Sequence, residues 1–257
     1  MATSAAALQT ATAASSASGR LTQFLTKGSL AVGDQALFSG ANFVTSIFLA
    51  RWLAPADYGA YSLAFSVFLL VASAHAALLI EPMMIFGVGK YAGNYPGYVG
   101  TLMRFHLAVL APGAVVLAGV AGVLGQLYSS VVQRGFLGLA AGSIFILAFW
   151  LVRRVPYVLL KPGWGVIASF IYCSAMALAV WGLNRAGQLT VFTAFLAMAA
   201  ASVAATLGAL ARFSGAFTRH APRPPLEEVA ADHWRYGRWA IASAAIGWFP
   251  AQVYYTL

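Results

Sequence analysis

The side chains able to do chemistry are few, and most of them sit in or beside long apolar runs. Gln35 and Asn42 are seven residues apart, two helical turns, so on a helix they share a face with Asp34 beside them. A carboxylate costs up to about 2.5–3.5 kcal/mol at the centre of a membrane helix and less near its end. Asp34 therefore binds a cation or proton, pairs with a base such as Arg104, or is hydrated at the interface. Gln35 and Asn42 suit a cavity wall or interhelical hydrogen bonds. His75 and His106 lie within apolar stretches, where a neutral imidazole either packs as a hydrogen-bonded residue or relays protons. Glu81, followed by Pro82, reads as an interfacial cap, a partner of Lys90 or a coupling site. Arg51 closes its run and can snorkel to headgroups or attract an anion at the outer mouth. Arg153 and Arg154, with Lys161 close by, have the fork geometry that receives phosphate oxygens, although topology alone also accounts for them.

Other chemistries are excluded by what is missing. No GxxxxGK[ST] phosphate loop exists, no His has metal-ligand spacing to another His or to Cys, and Cys173 is the sole cysteine. No cofactor, metal or catalytic residue is expected, and the chain is read as a non-enzyme. A membrane enzyme acting on lipid-linked sugars would carry its charged residues on a long outer loop, and the outer loops here are short.

The elements that position these residues follow from composition. Apolar residues make up 61% of the 257 and charged residues only 8%, with mean hydropathy +0.80. A water-soluble surface needs roughly 25% charged residues, so hydrocarbon is the solvent and the backbone must be satisfied internally. The apolar runs are about twice a barrel strand in length and do not alternate, so they are helices. Seven runs appear: Ser29 to Leu53, Tyr58 to Ile80, Phe105 to Leu127, Phe136 to Val152, Trp164 to Leu183, Leu189 to Leu210, and one opening near Trp239. Ala54-Pro55-Ala56-Asp57 and Gly93-Asn94-Tyr95-Pro96-Gly97 are turns, and Pro112 is expected to kink the third run.

The expected fold is an all-α polytopic membrane helix bundle. Its parts are a disordered cytoplasmic tail (1–28), a six-helix transmembrane lobe (29–213), a cytoplasmic linker (214–238) and the start of a seventh helix (239–257), truncated at Leu257. With the N-terminus cytoplasmic, the inner segments hold Arg20, Lys27, Lys90, Arg104, Arg153, Arg154, Lys161, Arg212, Arg219, Arg223, Arg235 and Arg238, leaving Arg51, Arg134 and Arg185 outside. Twelve against three obeys the positive-inside rule, and the net charge of +9 is topological, with no nucleic-acid partner implied.

Three stretches together resemble a known family. They are Gly33-Asp34-Gln35-Ala36-Leu37-Phe38-Ser39-Gly40-Ala41-Asn42-Phe43 continuing into Ala50-Arg51-Trp52-Leu53-Ala54-Pro55-Ala56-Asp57-Tyr58-Gly59-Ala60-Tyr61, then Glu81-Pro82-Met83-Met84 leading to Gly89-Lys90-Tyr91, then Arg153-Arg154-Val155-Pro156-Tyr157-Val158. The chain resembles the N-terminal half of Wzx-type lipid-linked oligosaccharide flippases and polysaccharide exporters of the multidrug/oligosaccharidyl-lipid/polysaccharide (MATE-like) superfamily. The resemblance implies one lobe of a two-lobe, alternating-access transporter in a bacterial inner membrane, moving a polyprenyl-diphosphate-linked oligosaccharide or an exopolysaccharide or lipopolysaccharide precursor. It implies as partners the anionic diphosphate lipid, membrane lipids, polysaccharide polymerase and export proteins, and a second lobe or homodimer mate. The alternatives are a cation-coupled multidrug exporter of the sister family and a nontransporting membrane remnant.

Overall fold

The computed structural model describes residues 2–212 and 221–253, with side chains over 25–211, 221–243 and 246–247. Its helices are α1 (Ala2–Trp52), α2 (Pro55–His75), α3 (Glu81–Phe86), α4 (Tyr95–Leu127), α5 (Ser130–Val158), α6 (Gly163–Arg185), α7 (Val191–Arg212) and α8 (Leu226–Val253). A π turn, Ala76–Ile80, joins α2 and α3 into one rod, and a 3-10 turn, Ala92–Asn94, precedes α4.

Among the described residues five helical segments are long and apolar enough to cross a membrane: Pro55–Phe86, Ala92–Leu127, Ser130–Val158, Gly163–Arg185 and Val191–Ala211. α1 is a further member of the bundle, outside those five because Asp34, Gln35 and Asn42 interrupt its apolar run. The chain is a multi-pass membrane protein. Only 11% of the apolar window of α4 is buried in the bundle, and Val115, Val116, Val120 and Val123 are exposed on its outer side.

Two boundaries differ from the sequence expectation. The first 28 residues, expected as a disordered tail, are helical from Ala2, because alanine-rich sequence has the highest helix propensity. The expected linker over 214–238 becomes helix at Leu226, where Glu227 and Glu228 in the first turn favour the helix dipole and Pro224 and Pro225 stand just before it. Residues 213–220 and the end at 254–257 lie outside the described residues. α4 runs on through Pro112 without a break.

Successive helices alternate in direction. At one end the Val191 N–H, opening α7, donates to Asp57 Oδ1 in the first turn of α2 at 3.4 Å. At the other end Arg153 of late α5 reaches Asp34 of α1, and Tyr98 of early α4 meets His233 of early α8. α5 is the central helix, packed on α7, α4 and α2. Its Gly135, Gly138 and Gly142 form the close-approach face: a Cβ on Gly138 would stand 3.1 Å from Phe192 and Phe195 of α7. Gly40, Gly119 and Gly122 by contrast have open space before them, whereas a Cβ on Gly125 would meet the Gln133 side chain at 2.6 Å.

The π turn has a readable cause. Pro82 has no N–H, and in a regular helix its ring would collide with the carbonyl four residues back, that of Leu78. The helix widens there, the Glu81 N–H bonds to the Ala76 carbonyl, and the Leu78 carbonyl accepts from His233 Nδ1 of α8 at 2.6 Å. α8 approaches closely at this point because residue 237 is glycine: a Cβ would lie 2.8 Å from the Ala77 carbonyl oxygen.

Candidate functional site

Asp34 is fully buried where α1, α5 and α6 meet. Its Oδ1 accepts from Arg153 Nη1 at 3.2 Å and from Ser169 Oγ, and its Oδ2 accepts from Tyr157 Oη. Tyr157 stands one helical turn beyond Arg153 on α5, so one helix supplies both donors. Gly165 of α6 leaves room for that arrangement, since a Cβ there would meet the Tyr157 ring at 2.8 Å. Arg153, 4% exposed, also donates from Nη1 to Ser169 Oγ at 3.1 Å and from Nη2 to Gln35 Oε1 at 3.4 Å, and its guanidinium lies 4.1 Å from the Phe38 ring centroid. Its Nε is buried without a hydrogen-bond partner. The pair sums to zero charge, and the surrounding donors satisfy the carboxylate as a buried ion requires.

Beside this knot opens a cavity of about 580 Å³, walled by α1, the α2–α3 rod, α5 and α8. Gln35, Glu81, Trp150, Arg153, Arg154 and Tyr236 are among its lining residues. Arg154 Nη2 donates to Gln35 Oε1 at 3.2 Å, and its guanidinium lies 5.3 Å from the Tyr157 ring centroid. A smaller cleft of about 330 Å³ between α1 and α6, bordered by Ala36, Gly40, Val44 and Cys173, offers almost only apolar surface.

The residues singled out from sequence thus divide into groups. Asp34, Gln35, Arg153 and Arg154 come together. His75 and His106 form a second pair, Nε2 to Nδ1 at 3.0 Å with the rings edge to face. His106 Nε2 donates to the Ile144 carbonyl at 3.1 Å, which makes its Nδ1 the acceptor for the His75 Nε2–H and leaves His75 Nδ1 a buried acceptor without a partner. Asn42 accepts from Tyr172 Oη at 3.3 Å, an interhelical tie between α1 and α6. Arg51 and Arg104 are exposed and take no part in the cluster.

Two expected pairings are replaced. Asp34 pairs with Arg153 and not Arg104, and it is not hydrated at an interface. Lys90 pairs with Glu228 and Asp232 at 2.8 and 2.6 Å, which leaves Glu81 without it. Sequence reasoning also missed Ser169, Tyr157 and His233. His233 sits beyond the prolines of the supposed linker, accepts from Tyr98 Oη at 2.6 Å and holds α8 against α2 and α4. Outside the spans, the Tyr91 hydroxyl is pushed up to about 12 by burial and by its hydrogen bond to Asp232. Burial lowers the pKa of His233, with the Leu78 bond and Asp232 opposing.

Comparison of the whole arrangement with solved structures finds two transporters. One is a MOP superfamily transporter from Pyrococcus furiosus, 12% identical, with TM-score 0.68 over 87% of this chain and 52% of that one. The other is a multidrug resistance MATE family transporter of the MOP superfamily in an outward-facing conformation, 13% identical, with TM-score 0.69 over 84% of this chain and 51% of that one. The fold is that of one MOP-superfamily lobe. The chain spans about half the length of the solved structures it matches. No family model and no curated protein matches the sequence. In this lobe the Asp34–Arg153 knot joins α1, α5 and α6 at the end of the bundle from which α8 starts.

Proposed function

We propose that the chain forms one lobe of an alternating-access transporter that carries a polyprenyl-diphosphate-linked saccharide across a bacterial inner membrane. The second wall of the path comes from another lobe, in a longer polypeptide or in a second copy, and the amino terminus and the start of α8 face the cytoplasm. The observation that carries the substrate assignment is Arg154: its guanidinium lines the cavity without a carboxylate partner among the described residues, beside Arg153, whose charge is already balanced by Asp34. One uncompensated guanidinium in a partly desolvated cavity favours a phosphate oxygen over bulk water.

The multidrug exporter alternative needs a carboxylate free to exchange its cation. Asp34 is a poor candidate, because both of its oxygens already accept from Arg153, Ser169 and Tyr157, which leaves Glu81 as the carboxylate among the cavity's lining residues that the alternative would use.

The test is a leaflet assay in proteoliposomes carrying fluorescent lipid-linked oligosaccharide. The protein is expected to expose the label to an outer-leaflet quencher, and Arg154→Gln is expected to abolish most of that exposure. Equal rates in protein-free liposomes would defeat the proposal. Reporter fusions before Leu25 and at Pro222 test the orientation, and a signal from opposite faces would overturn it.

A further inference from the structure

The cavity carries two unbalanced charges of opposite sign. Arg153 is neutralised by Asp34, which leaves Arg154 as its cation and Glu81 as its anion. Among the described residues neither has an oppositely charged group within 4.0 Å, and they are not paired with each other although both line the same space. Lys90, the nearest cation to Glu81 in sequence, is occupied by Glu228 and Asp232 of α8. The same wall also offers an indole, Trp150, a phenol, Tyr236, and the amide of Gln35.

Two opposite charges in one cavity constrain the ligand. A purely anionic head would gain from Arg154 and lose to Glu81 in one confined space, and a purely cationic head would do the reverse. A head carrying both charges satisfies both residues, and a volume of about 580 Å³ is within the range of small-ligand sites.

We infer that the lobe binds a dipolar head, a phosphate held by Arg154 joined to an ammonium held by Glu81. Resting on the lipid-linked saccharide reading, this specifies a sugar with a free amine near the diphosphate, a non-acetylated amino sugar, its ring against Trp150. Acetylating the amine removes the charge that Glu81 recognises and places an amide beside a carboxylate.

The experiment titrates the full chain in nanodiscs with glucosamine 1-phosphate, N-acetylglucosamine 1-phosphate, inorganic phosphate and phosphoethanolamine. Glucosamine 1-phosphate is expected to bind at least about tenfold more tightly than its acetylated form, the scale of one hydrogen bond to a charged group. Glu81→Gln is expected to erase that ratio while leaving the affinity for inorganic phosphate unchanged or raised, and Arg154→Gln to weaken every phosphate ligand. Glu81 is exposed and Arg154 partly so, so neither variant threatens the fold. Equal affinity for the two sugars in the wild type, or a Glu81→Gln variant that weakens both equally, would overturn the inference. If phosphoethanolamine binds with the same dependence on Glu81 and glucosamine 1-phosphate does not, the dipolar head stands and the saccharide reading falls.

Discussion

Two polar knots hold this bundle together near the same end, and they are built on opposite principles. Around Asp34 the knot is ionic: a carboxylate and a guanidinium, both taken out of water, surrounded by Ser169, Tyr157, Gln35 and the Phe38 ring. Around His233 it is neutral: one imidazole donates to the Leu78 carbonyl and accepts from Tyr98. The ionic knot recruits three helices and a cavity wall because each buried charge demands several partners. The neutral knot needs only a carbonyl released by Pro82 and one phenol. A buried charge is worth its cost where it also does a task, and the ionic knot is the one that borders the cavity; the neutral knot only fixes α8 in place.

Removing Asp34 is the most severe way to probe this contrast. Asp34→Ala leaves the Arg153 charge buried and unpaired, and the expected loss is about 3–5 kcal/mol, read as a fall in the thermal unfolding midpoint of purified protein. Asp34→Leu combined with Arg153→Met removes both charges and is expected to recover most of that stability while altering the cavity wall. A double variant no more stable than Asp34→Ala would mean that the knot stabilises the lobe by something other than mutual charge compensation.

The neutral knot should break more gently. His233→Ala strands the buried Tyr98 hydroxyl and the Leu78 carbonyl, for an expected loss of about 1–3 kcal/mol. It should loosen α8, seen as faster hydrogen exchange over 229–237, and leave the α1–α5–α6 knot unchanged. Its pH dependence follows from the lowered pKa of the folded state. Below about pH 6.5 the unfolded chain takes up a proton that folded His233 resists, so stability is complete above that pH and falls as the solution is acidified. His233→Gln should flatten the slope in that window. A wild-type stability curve flat between pH 5 and about 7 would mean that His233 accommodates the proton within its present contacts.

How much of this was legible in the sequence depends on how far apart the partners lie. Long apolar runs and their turns are local signals, and they gave the helix order. The polar stripe of Asp34, Gln35 and Asn42 is local too, but only Asp34 is buried in the bundle, while Gln35 is exposed at the cavity wall and half-buried Asn42 meets Tyr172 of α6. The partner of Asp34 is not local: Arg153 lies 119 residues away, and nothing in the sequence favours it over Arg104. Ser169 and Gly165 carry no charge to mark them in an apolar helix. His233 was hidden by three nearby prolines that suggest a linker, although Pro82 signals that the Leu78 carbonyl lacks a helical donor and must find one elsewhere. The family likeness was legible only as far as the fold, because the lobe is set by helix order and small contact residues while the substrate is set by a few side chains around one cavity.

The smallest effect is expected at the rim, where Lys90 bridges Glu228 and Asp232. Here one cation faces two carboxylates where Arg153 faces one, but Lys90 is solvated and its attraction is screened by salt. Lys90→Met should lower the unfolding midpoint only slightly at physiological ionic strength. It should still change the acid limb: burial raises the Asp232 pKa, but the hydrogen bonds from Lys90 and Tyr91 outweigh it and hold that pKa below its ordinary value. Asp232 therefore contributes stability above about pH 4 that is lost as pH falls further, and without Lys90 that loss should shrink. The His233 window lies higher, so the two acid responses separate on the pH axis. If Lys90→Met destabilised the chain as much as His233→Ala, the rim and not the imidazole would be what fixes α8, and the contrast between buried and exposed polar ties would have to be redrawn.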